Sequence, residues 1–217
     1  MGSHRLPGKV LMDISGRSML WHVVERLKTC KHLNGIVIAT STNILDDPIV
    51  SFGKQYNIPV LRGSEEDVLQ RYIDVGEELQ TDYIVRVTAD SPLIEPAEID
   101  RCIMAVKDCG AEYCDDLHDR ENLLCGYETV ALKTLKKINF VTTKYYREHV
   151  TTYIRDNLDD FKIPPYDCRE EYCIQGMKLS VDTIEELQFM RKIYTDFWDG
   201  KNIVSLKRLC HENFFHH

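Results

Sequence analysis

The sequence predicts an α/β protein in which helices cover both faces of a mostly parallel β-sheet. Residues 35–40 form an uninterrupted apolar run, and residues 82–87 form a second strand-sized segment; both are typical of strands buried on two faces. Between such segments, apolar residues recur every three or four positions, which indicates helices packed on one side. Strand and helix alternate several times before residue 110, and this alternation favours a parallel sheet.

Local start signals support the helices of the first half of the chain. Ser15-Gly16 precedes the first helix, Pro48 suits a first helical turn, and Ser64 is a natural cap for the helix that follows it. In chain order, the predicted elements are a helix over 18–31, a strand over 35–40, a helix over 46–56, a strand over 58–61, a helix over 68–79, a strand over 82–87 and a helix over 96–109.

After residue 110 the alternation loosens. Thr183 and Glu186 form the sequence pattern of a capping box, which marks a helix start. The predicted elements are strands over 111–114, 128–132 and 177–181 and helices over 142–157, 184–198 and 203–214. Because no repeat, low-complexity segment or flexible linker interrupts the chain, we predict a single domain over residues 1–217.

Composition excludes several classes of function. A net charge of −8 without a basic run argues against a nucleic-acid partner, and the apolar segments are too short to span a membrane. The chain shows no secretory signal, so we expect a cytoplasmic protein. The eight cysteines form no C-x-x-C pair, and we interpret them as reduced structural residues rather than zinc ligands.

The opening segment has the composition of an anion-binding loop. Gly2, Ser3 and Gly8 allow backbone N–H groups to approach an anion, while Arg5 and Lys9 supply positive charge for phosphate oxygens. By itself this segment also fits a disordered terminus or the remnant of an expression tag. Its composition is therefore a hypothesis that depends on the rest of the chain.

Two aspartates follow predicted strands. Asp90 comes after the strand over 82–87, and Asp182 after the strand over 177–181. Ligands of open α/β sheets bind outside the carboxyl ends of the strands, where two such carboxylates could hold Mg²⁺ against phosphates. Taken singly, each aspartate also fits an ordinary turn or a helix start. Together with Arg5 and Lys9 they predict a phosphate and metal site.

Four motifs in order resemble a known family. They are Gly2-Ser3-x-Arg5-Leu6-Pro7-Gly8-Lys9, Arg62-Gly63-Ser64-Glu65-Glu66-Asp67-Val68-Leu69, Arg86-Val87-Thr88-Ala89-Asp90-Ser91-Pro92-Leu93-Ile94 and Val181-Asp182-Thr183-x-Glu185-Glu186-Leu187. This set is similar to the CMP-sugar synthetases, a cytidylyltransferase group, and most similar to the spore coat polysaccharide biosynthesis protein F branch, relatives of the CMP-Kdo and acylneuraminate cytidylyltransferases. The resemblance implies a Rossmann-like, GT-A-like nucleotidyltransferase fold, a three-layer sandwich, and the reaction of CTP with a sugar to give CMP-sugar and pyrophosphate.

The resemblance also implies roles for individual residues. Catalysis is expected from Arg5 and Lys9, and Mg²⁺ binding from Asp90 and Asp182. Nucleotide binding is expected from Gly2, Ser3, Arg5, Lys9, Arg62, Ser64, Asp67 and Asp90, and sugar binding from Arg86, Gly126, Glu128 and His149. Three of these keep a structural alternative: Ser64 as a helix cap, Arg86 as the partner of a structural carboxylate, and His149 as a packed or surface histidine. The substrates are CTP and a sugar, acidic sugars included, and we expect a homodimer formed through residues 111–157.

Relatives of this group begin with an apolar strand that precedes the glycine-serine motif. This sequence starts inside that motif, so we expect the first strand to be missing from the sheet. Two other functions stay open at this point. One is a glycosyltransferase of related fold that consumes a nucleotide sugar, and the other is a catalytically silent protein that keeps the fold for assembly or partner binding.

Overall fold

Helices and strands alternate along the chain, as the sequence predicts. The computed structural model describes residues 5–115, 126–141, 143–165, 172 and 178–212. The helices are α1 (Met19–Leu27), α2 (Asp47–Tyr56), α3 (Val68–Glu78), α4 (Pro96–Cys109), α5 (Leu132–Lys137), α6 (Lys144–Glu148), α7 (Thr152–Asp156), α8 (Ile184–Phe197) and α9 (Leu206–His211). The strands are β1 (Asp13–Ile14), β2 (Arg17–Ser18), β3 (Ile38–Ser41), β4 (Val60–Gly63), β5 (Tyr83–Val87), β6 (Tyr113–Asp115) and β7 (Tyr127–Ala131). Short 3-10 helices cover Lys9–Leu11, Ile44–Asp46 and Leu158–Asp160.

The strands form a hairpin and two sheets. Strand β3 pairs with β4 in parallel, whereas β7 lies between β5 and β6 and is antiparallel to both. Strands β5 and β6 therefore run in the same direction, as a crossover through α4 requires, and β7 is the reversed strand inserted between them. Within the described ranges the β3–β4 pair supplies the only parallel ladder, so hydrogen bonding is less parallel than we predict from the sequence.

The three-stranded sheet has apolar packing on both faces. Val85, Val87 and Tyr127 pack with α1, α4 and α8, while Ile84 and Val130 pack with α3, α5 and α7. Successive residues of a strand point to opposite faces, which explains why neighbours in β5 join different clusters. A further apolar cluster joins α1 to α2 and β3. Two helical layers around a sheet give the three-layer arrangement that the family resemblance implies.

The start of α1 differs from the prediction. Ser15 (φ 53°) and Gly16 (φ 86°) form the turn of the β1–β2 hairpin, because positive φ at both central residues suits a tight hairpin turn. The helix begins at Met19, after the Ser18 cap, whose hydroxyl accepts a hydrogen bond from the Trp21 N–H (3.3 Å). Similarly, Asp67 and not Ser64 caps α3, through the Gln70 N–H (3.0 Å).

The predicted helix over 142–157 is wrong as a single element. The described part of this segment holds two short helices, α6 and α7, with a break at residues 149–151. Val150 is fully buried and has a φ of 44°, a conformation that no α-helix contains. Tertiary packing of this side chain therefore interrupts a segment whose local pattern is helical throughout.

The segment that precedes α8 is not a strand in the part that can be compared. Residues 178–181 carry no ladder, and Met177 lies outside the described residues. One backbone bond, from the Val181 N–H to the Asp90 carbonyl (2.8 Å), is the contact that brings this segment beside the end of β5. The capping box that starts α8 is confirmed: the Thr183 hydroxyl accepts from the Glu186 N–H, and the Glu186 carboxylate accepts from the Thr183 N–H.

Five cysteines lie within the described ranges: Cys30, Cys102, Cys109, Cys114 and Cys210. Cys102 and Cys114 are fully buried, and the Cys102 thiol donates to the Cys114 carbonyl (3.2 Å). Burial also raises the pKa of the Cys30 thiol to about 12, which keeps it protonated. Cys102 and Cys114 thus act as small buried side chains and Cys30 as a partly buried one, in agreement with the structural interpretation.

Candidate active site

Lys9 joins the two predicted metal ligands. Its Nζ lies 2.6 Å from Asp90 Oδ2 and 2.7 Å from Asp182 Oδ1, and its side chain is only 10% exposed. The backbone is set by Gly8, whose φ of 72° precedes the 3-10 helix at Lys9. Three residues that are far apart in sequence thus meet at one point, as the sequence predicts for Lys9, Asp90 and Asp182.

Backbone hydrogen bonds position Asp90. Strand β5 ends at Val87. The Thr88 N–H donates to the Gly126 carbonyl (2.7 Å), and the Ser91 N–H donates to the Thr88 carbonyl (3.4 Å) across the turn that carries Asp90. The Asp90 carbonyl accepts from the Val181 N–H, so the turn that carries Asp90 is tied directly to the residue before Asp182. This bond explains why the two carboxylates stay together without a continuous strand at residues 178–181.

Asp182 is held by its own helix start and by three cations. Its N–H donates to Glu186 Oε2 (2.5 Å), and its Oδ2 contacts Arg5 (3.0 Å) and the ammonium of Lys178. Partial burial opposes ionisation, but the hydrogen bonds from Lys178 and Lys9 outweigh it and hold the pKa of Asp182 well below its usual range. The Asp182 carboxylate is therefore ionised at neutral pH.

The charges of this cluster balance. Arg5, Lys9 and Lys178 are positive; Asp90, Asp182 and Glu186 are negative, and Lys178 also contacts Glu186 at 3.5 Å. The Arg5 side chain is 64% exposed, so its guanidinium can leave Asp182 for a phosphate at small cost. The cluster can bind a polyphosphate through these cations and a metal ion through the two aspartates.

The aspartate pair fits a magnesium ion on chemical grounds. A single nitrogen already touches both carboxylates, so both can reach one cation. Mg²⁺ is usually bound by one or two carboxylates together with substrate phosphates rather than by an all-protein cage. The part of the chain that the structure describes contains no group of three or more His, Cys, Asp or Glu side chains suited to a metal.

Gly126 lies against the turn that carries Asp90. Its φ is 88°, and a methyl group added there would come within 2.3 Å of Ser91 Oγ and 2.7 Å of Thr88 Oγ1. Only glycine fits such a combination of positive φ and close approach. Gly126, which we predict for sugar binding, therefore packs against Thr88 and Ser91, which lie two residues before and one residue after Asp90, and supports that turn.

Arg86 and Glu128 face each other across β5 and β7. They are direct partners in the register, and Arg86 Nη1 lies 2.7 Å from Glu128 Oε2. Burial works against the charge of Arg86, but Glu128 outweighs it and the pKa of Arg86 is raised. The Arg86 Nε is buried and has no hydrogen-bond partner among the described residues. Arg86 thus has a carboxylate partner in Glu128, while its Nε–H donor has no acceptor among the described residues.

Three of the residues predicted for nucleotide binding, Arg62, Ser64 and Asp67, have contacts within the protein. Arg62 donates to the carbonyls of Ser41 and Asn43 (both 2.7 Å) and pairs with an aspartate at the start of α2. The Ser64 hydroxyl accepts from the Asp67 N–H (3.0 Å). Besides capping α3, Asp67 pairs with an arginine of α6 at 2.5 Å. These bonds brace the ends of β3 and β4, and none joins the three residues to Lys9.

The remaining predicted residues lie elsewhere. The His149 ring contacts Tyr145, with the ring centroids 4.7 Å apart, and the contacts that the structure describes for it include neither Arg86 nor Glu128. This exposed position agrees with the alternative of a surface histidine. Gly2 and Ser3 lie outside the described residues.

Comparison with known proteins establishes the family. The sequence profile described as "Cytidylyltransferase" matches residues 1–216. The chain belongs to the cytidylyltransferase family. It is 32% identical over 200 residues to the spore coat polysaccharide biosynthesis protein SpsF of Bacillus subtilis, which covers 89% of this chain and 82% of that protein. It is 26% identical over 181 residues to a 3-deoxy-manno-octulosonate cytidylyltransferase of Geobacter sulfurreducens, covering 82% of this chain and 71% of that enzyme.

A solved structure agrees with this family assignment. A cytidylyltransferase from Leptospira borgpetersenii superposes with a TM-score of 0.89 at 28% identity, covering 100% of this chain and 90% of that one. The resemblance drawn from the four motifs and the Rossmann-like α/β fold are thereby confirmed. As a member of this family the chain is a nucleotidyltransferase.

Sequence reasoning missed one cation of the site. Lys178 contacts both Asp182 and Glu186, yet the motifs do not contain it. The available signal is its position four residues before Asp182, because a lysine that close in sequence can reach the Asp182 carboxylate. The contact itself could not be predicted from the sequence, because residues 178–182 form neither a helix nor a strand that would set the spacing of Lys178 and Asp182.

One groove lies outside the predicted site. It has a volume of about 610 Å³ and separates the β1–β2 hairpin from α2, with Arg17, Asp47 and Tyr56 among its lining residues. None of the predicted site residues lines it.

Across the described parts of the chain, no helix has both the length and the apolar character needed to cross a membrane.

Proposed function

We propose that this protein is a magnesium-dependent cytidylyltransferase that activates a sugar, converting CTP and the sugar into CMP-sugar and pyrophosphate. The observation that carries the proposal is the Lys9 ammonium held between Asp90 and Asp182, in a chain of this family. In the reaction a sugar hydroxyl oxygen bonds to the α-phosphorus, the bond from that phosphorus to the bridging oxygen breaks, and pyrophosphate leaves while the hydroxyl proton passes to solvent.

The cations bind and neutralise the triphosphate. Arg5 offers an exposed planar guanidinium, which suits two phosphate oxygens at once, and Lys9 offers a mobile ammonium on a long stem. Both lie beside the metal-binding carboxylates, so charge that develops on the departing pyrophosphate meets two positive groups. Because attack comes from the sugar hydroxyl, no nucleophilic side chain is required.

Asp90 and Asp182 are the residues that would hold Mg²⁺. When bound, the ion supplies charge neutralisation at the phosphates and lowers the pKa of the attacking hydroxyl. The chain itself fixes the two carboxylates through the Val181–Asp90 backbone bond and the α8 capping box.

The Arg86–Glu128 pair and Gly126 mark the sugar side. Arg86 keeps a buried, unused donor and Glu128 an acceptor oxygen beside it, a combination that can bind hydroxyl and carboxylate groups. One relative is an enzyme for 3-deoxy-manno-octulosonate, an acidic sugar. We therefore include acidic sugars among the substrates. For His149, a contact with the sugar requires that α6 approaches the site when substrate binds.

The proposed setting is the biosynthesis of surface or spore coat polysaccharide, with CTP drawn from the cytoplasm. One relative is a spore coat polysaccharide protein, which supports this setting. For the assembly we propose a homodimer through residues 111–157, where Phe140 (67%) and Tyr145 (57%) are exposed aromatic side chains. Size-exclusion chromatography with light scattering tests this, and a monomer at all concentrations contradicts it.

The test of function combines binding with turnover. Thermal unfolding is recorded with and without CTP and Mg²⁺, and pyrophosphate release is measured with CTP, UTP or ATP against a panel of neutral and acidic sugars. At a hundredfold excess of ligand over Kd, binding stabilises a protein by about 2.7 kcal/mol, which raises the Tm by about 5–10 °C for this size. We expect that shift, and pyrophosphate release, with CTP.

Two variants make the result specific. Asp90→Asn keeps the shape of the side chain and is expected to abolish both the Mg²⁺-dependent part of the shift and pyrophosphate release. Asp196→Asn, on the exposed side of α8, removes an equivalent charge outside the site and is expected to behave as wild type. Hydrolysis of a nucleotide sugar without any response to CTP would instead indicate a glycosyltransferase, and no response to any nucleotide a silent protein.

A further inference from the structure

The position between Asp90 and Asp182 is already taken by a side chain of the protein. Lys9 Nζ lies within 2.7 Å of an oxygen of each aspartate, and the lysine side chain is 90% shielded from solvent. Arg5 and Lys178 contact the other oxygen of Asp182, Oδ2. Among the described residues, Lys9 is therefore the one cation that touches both carboxylates.

We propose that Lys9 excludes divalent cations from the Asp90–Asp182 pair until the phosphates of a nucleotide draw its ammonium away, so that the metal enters with or after the nucleotide. The inference rests on the proposed function, since it takes the two aspartates as metal ligands and a nucleoside triphosphate as substrate.

Charge supports this order of binding. Three cations and three carboxylates make the cluster neutral, so a metal ion approaching without nucleotide meets no net attraction and finds the shared position occupied. A triphosphate adds several negative charges beside Arg5 and Lys9. The cluster then becomes negative, the ammonium gains new partners, and the two carboxylates become free for the metal.

The local structure lets the ammonium move while the backbone stays. The Lys9 N–H donates to the Leu6 carbonyl (3.2 Å), and the Lys9 carbonyl accepts from the Met12 N–H (3.0 Å), which fixes the 3-10 turn. A lysine ammonium sits on a flexible four-carbon stem, so rotation of the side chain alone can carry it from the aspartates to a phosphate. No rearrangement of the fold is needed for the exchange.

Binding of Mn²⁺ without nucleotide tests the proposal directly. Free Mn²⁺ is followed by electron paramagnetic resonance in titrations of tag-free protein with MnCl₂ alone. We expect weak binding by wild type and at least about tenfold tighter binding by Lys9→Met, a difference of about 1.4 kcal/mol. Lys136→Met is the matched control, because it removes a lysine from an exposed ion pair with Glu77 and is expected to match wild type.

A double variant locates the gained site. Lys9→Met with Asp90→Asn is expected to lose the tighter Mn²⁺ binding, because one of the two carboxylates is gone. Circular dichroism and thermal unfolding check that each variant is folded, and Lys9→Gln replaces Lys9→Met if the latter is not. Wild-type protein that binds Mn²⁺ alone as tightly as the folded Lys9 variant overturns the proposal, as does gained binding that survives the loss of Asp90.

Nucleotide binding separates this proposal from the proposed function. Equilibrium dialysis of wild type with CTP in the presence of a chelator is expected to show binding without metal. If CTP binds neither with nor without Mg²⁺, the proposed function fails, although the Mn²⁺ titrations still measure what Lys9 does. If CTP is turned over but wild type binds Mn²⁺ alone as tightly as the Lys9 variant, the proposed function stands and the exclusion by Lys9 is refuted.

Discussion

Replacing Gly126 by alanine tests how the Asp90 turn is supported. Two effects add at this position. The first is the φ of 88°, which costs an alanine about 1–2 kcal/mol. The second is the close approach of the new methyl group to Ser91 Oγ at 2.3 Å and Thr88 Oγ1 at 2.7 Å, and overpacking of this kind costs about 1–3 kcal/mol. We therefore expect Gly126→Ala to lower the free energy of unfolding by about 2–5 kcal/mol.

Gly16→Ala separates the two effects. Gly16 has nearly the same φ, 86°, but no atom lies within 4 Å of a methyl group added there. This control therefore carries the conformational cost alone, about 1–2 kcal/mol, and the difference between the two variants measures the steric contribution at Gly126.

Urea unfolding followed by circular dichroism gives both free energies, and the Mg²⁺-dependent Tm shift with CTP gives the effect on the site. We expect Gly126→Ala to reduce that shift because the clash displaces Thr88 and Ser91, which flank Asp90 in sequence. Gly16→Ala is expected to keep it. Equal destabilisation by the two variants would refute the claim that Gly126 is packed rigidly against the Asp90 turn.

Two further predictions concern buried or half-buried ion pairs. Arg86→Met leaves the 4%-exposed Glu128 without its partner and is expected to destabilise the protein by about 3–5 kcal/mol. The double variant Arg86→Met, Glu128→Leu is expected to recover most of that loss in the same urea assay. Equal losses in the single and double variants would contradict a paired role. For Asp67, burial opposes ionisation, but hydrogen bonds from Arg147 and the Gln70 N–H lower its pKa. A carboxyl whose pKa is lowered on folding stabilises the protein above its unfolded pKa, near 3.9, and loses that contribution as the pH falls through the folded pKa. Asp67→Asn is thus expected to be clearly destabilised at pH 7 and to approach wild type as the pH falls below the folded pKa of Asp67, and a destabilisation independent of pH would argue against the ionised pair.

The sequence predicts the meeting of Lys9, Asp90 and Asp182 better than it predicts the elements around them. Aspartates after strands and a lysine in a glycine-rich loop are short-range patterns whose chemistry determines where they lie. Asp90 and Asp182 accordingly meet, even though no strand is present before Asp182 in the described residues. What brings them together is the Val181–Asp90 backbone bond, which spacing in the sequence does not show.

The errors arise where distant contacts override local preference. Val150 lies in a helical pattern, but its burial in the apolar cluster that contains Ile84 and Val130 holds it at positive φ and breaks the helix. Strand β7 is predicted correctly as a strand, yet its insertion between β5 and β6 depends on pairing with β5, whose paired residues lie 40 or more positions earlier in the chain. Ser15 and Gly16 resemble a helix start because serine and glycine also favour tight turns, and the hairpin decides between the two.

The ion pairs of Lys9 also determine when the site can form during folding. Its two partners lie 81 and 173 residues further along the chain. Contacts that close such long loops are made late, after most of the conformational entropy of the chain has been lost. In a growing or partly folded chain, Lys9 is therefore present long before the two aspartates with which it pairs. Protection of the Lys9 amine from a lysine-modifying reagent would consequently report the last stage of folding, after the sheets and their helices are in place.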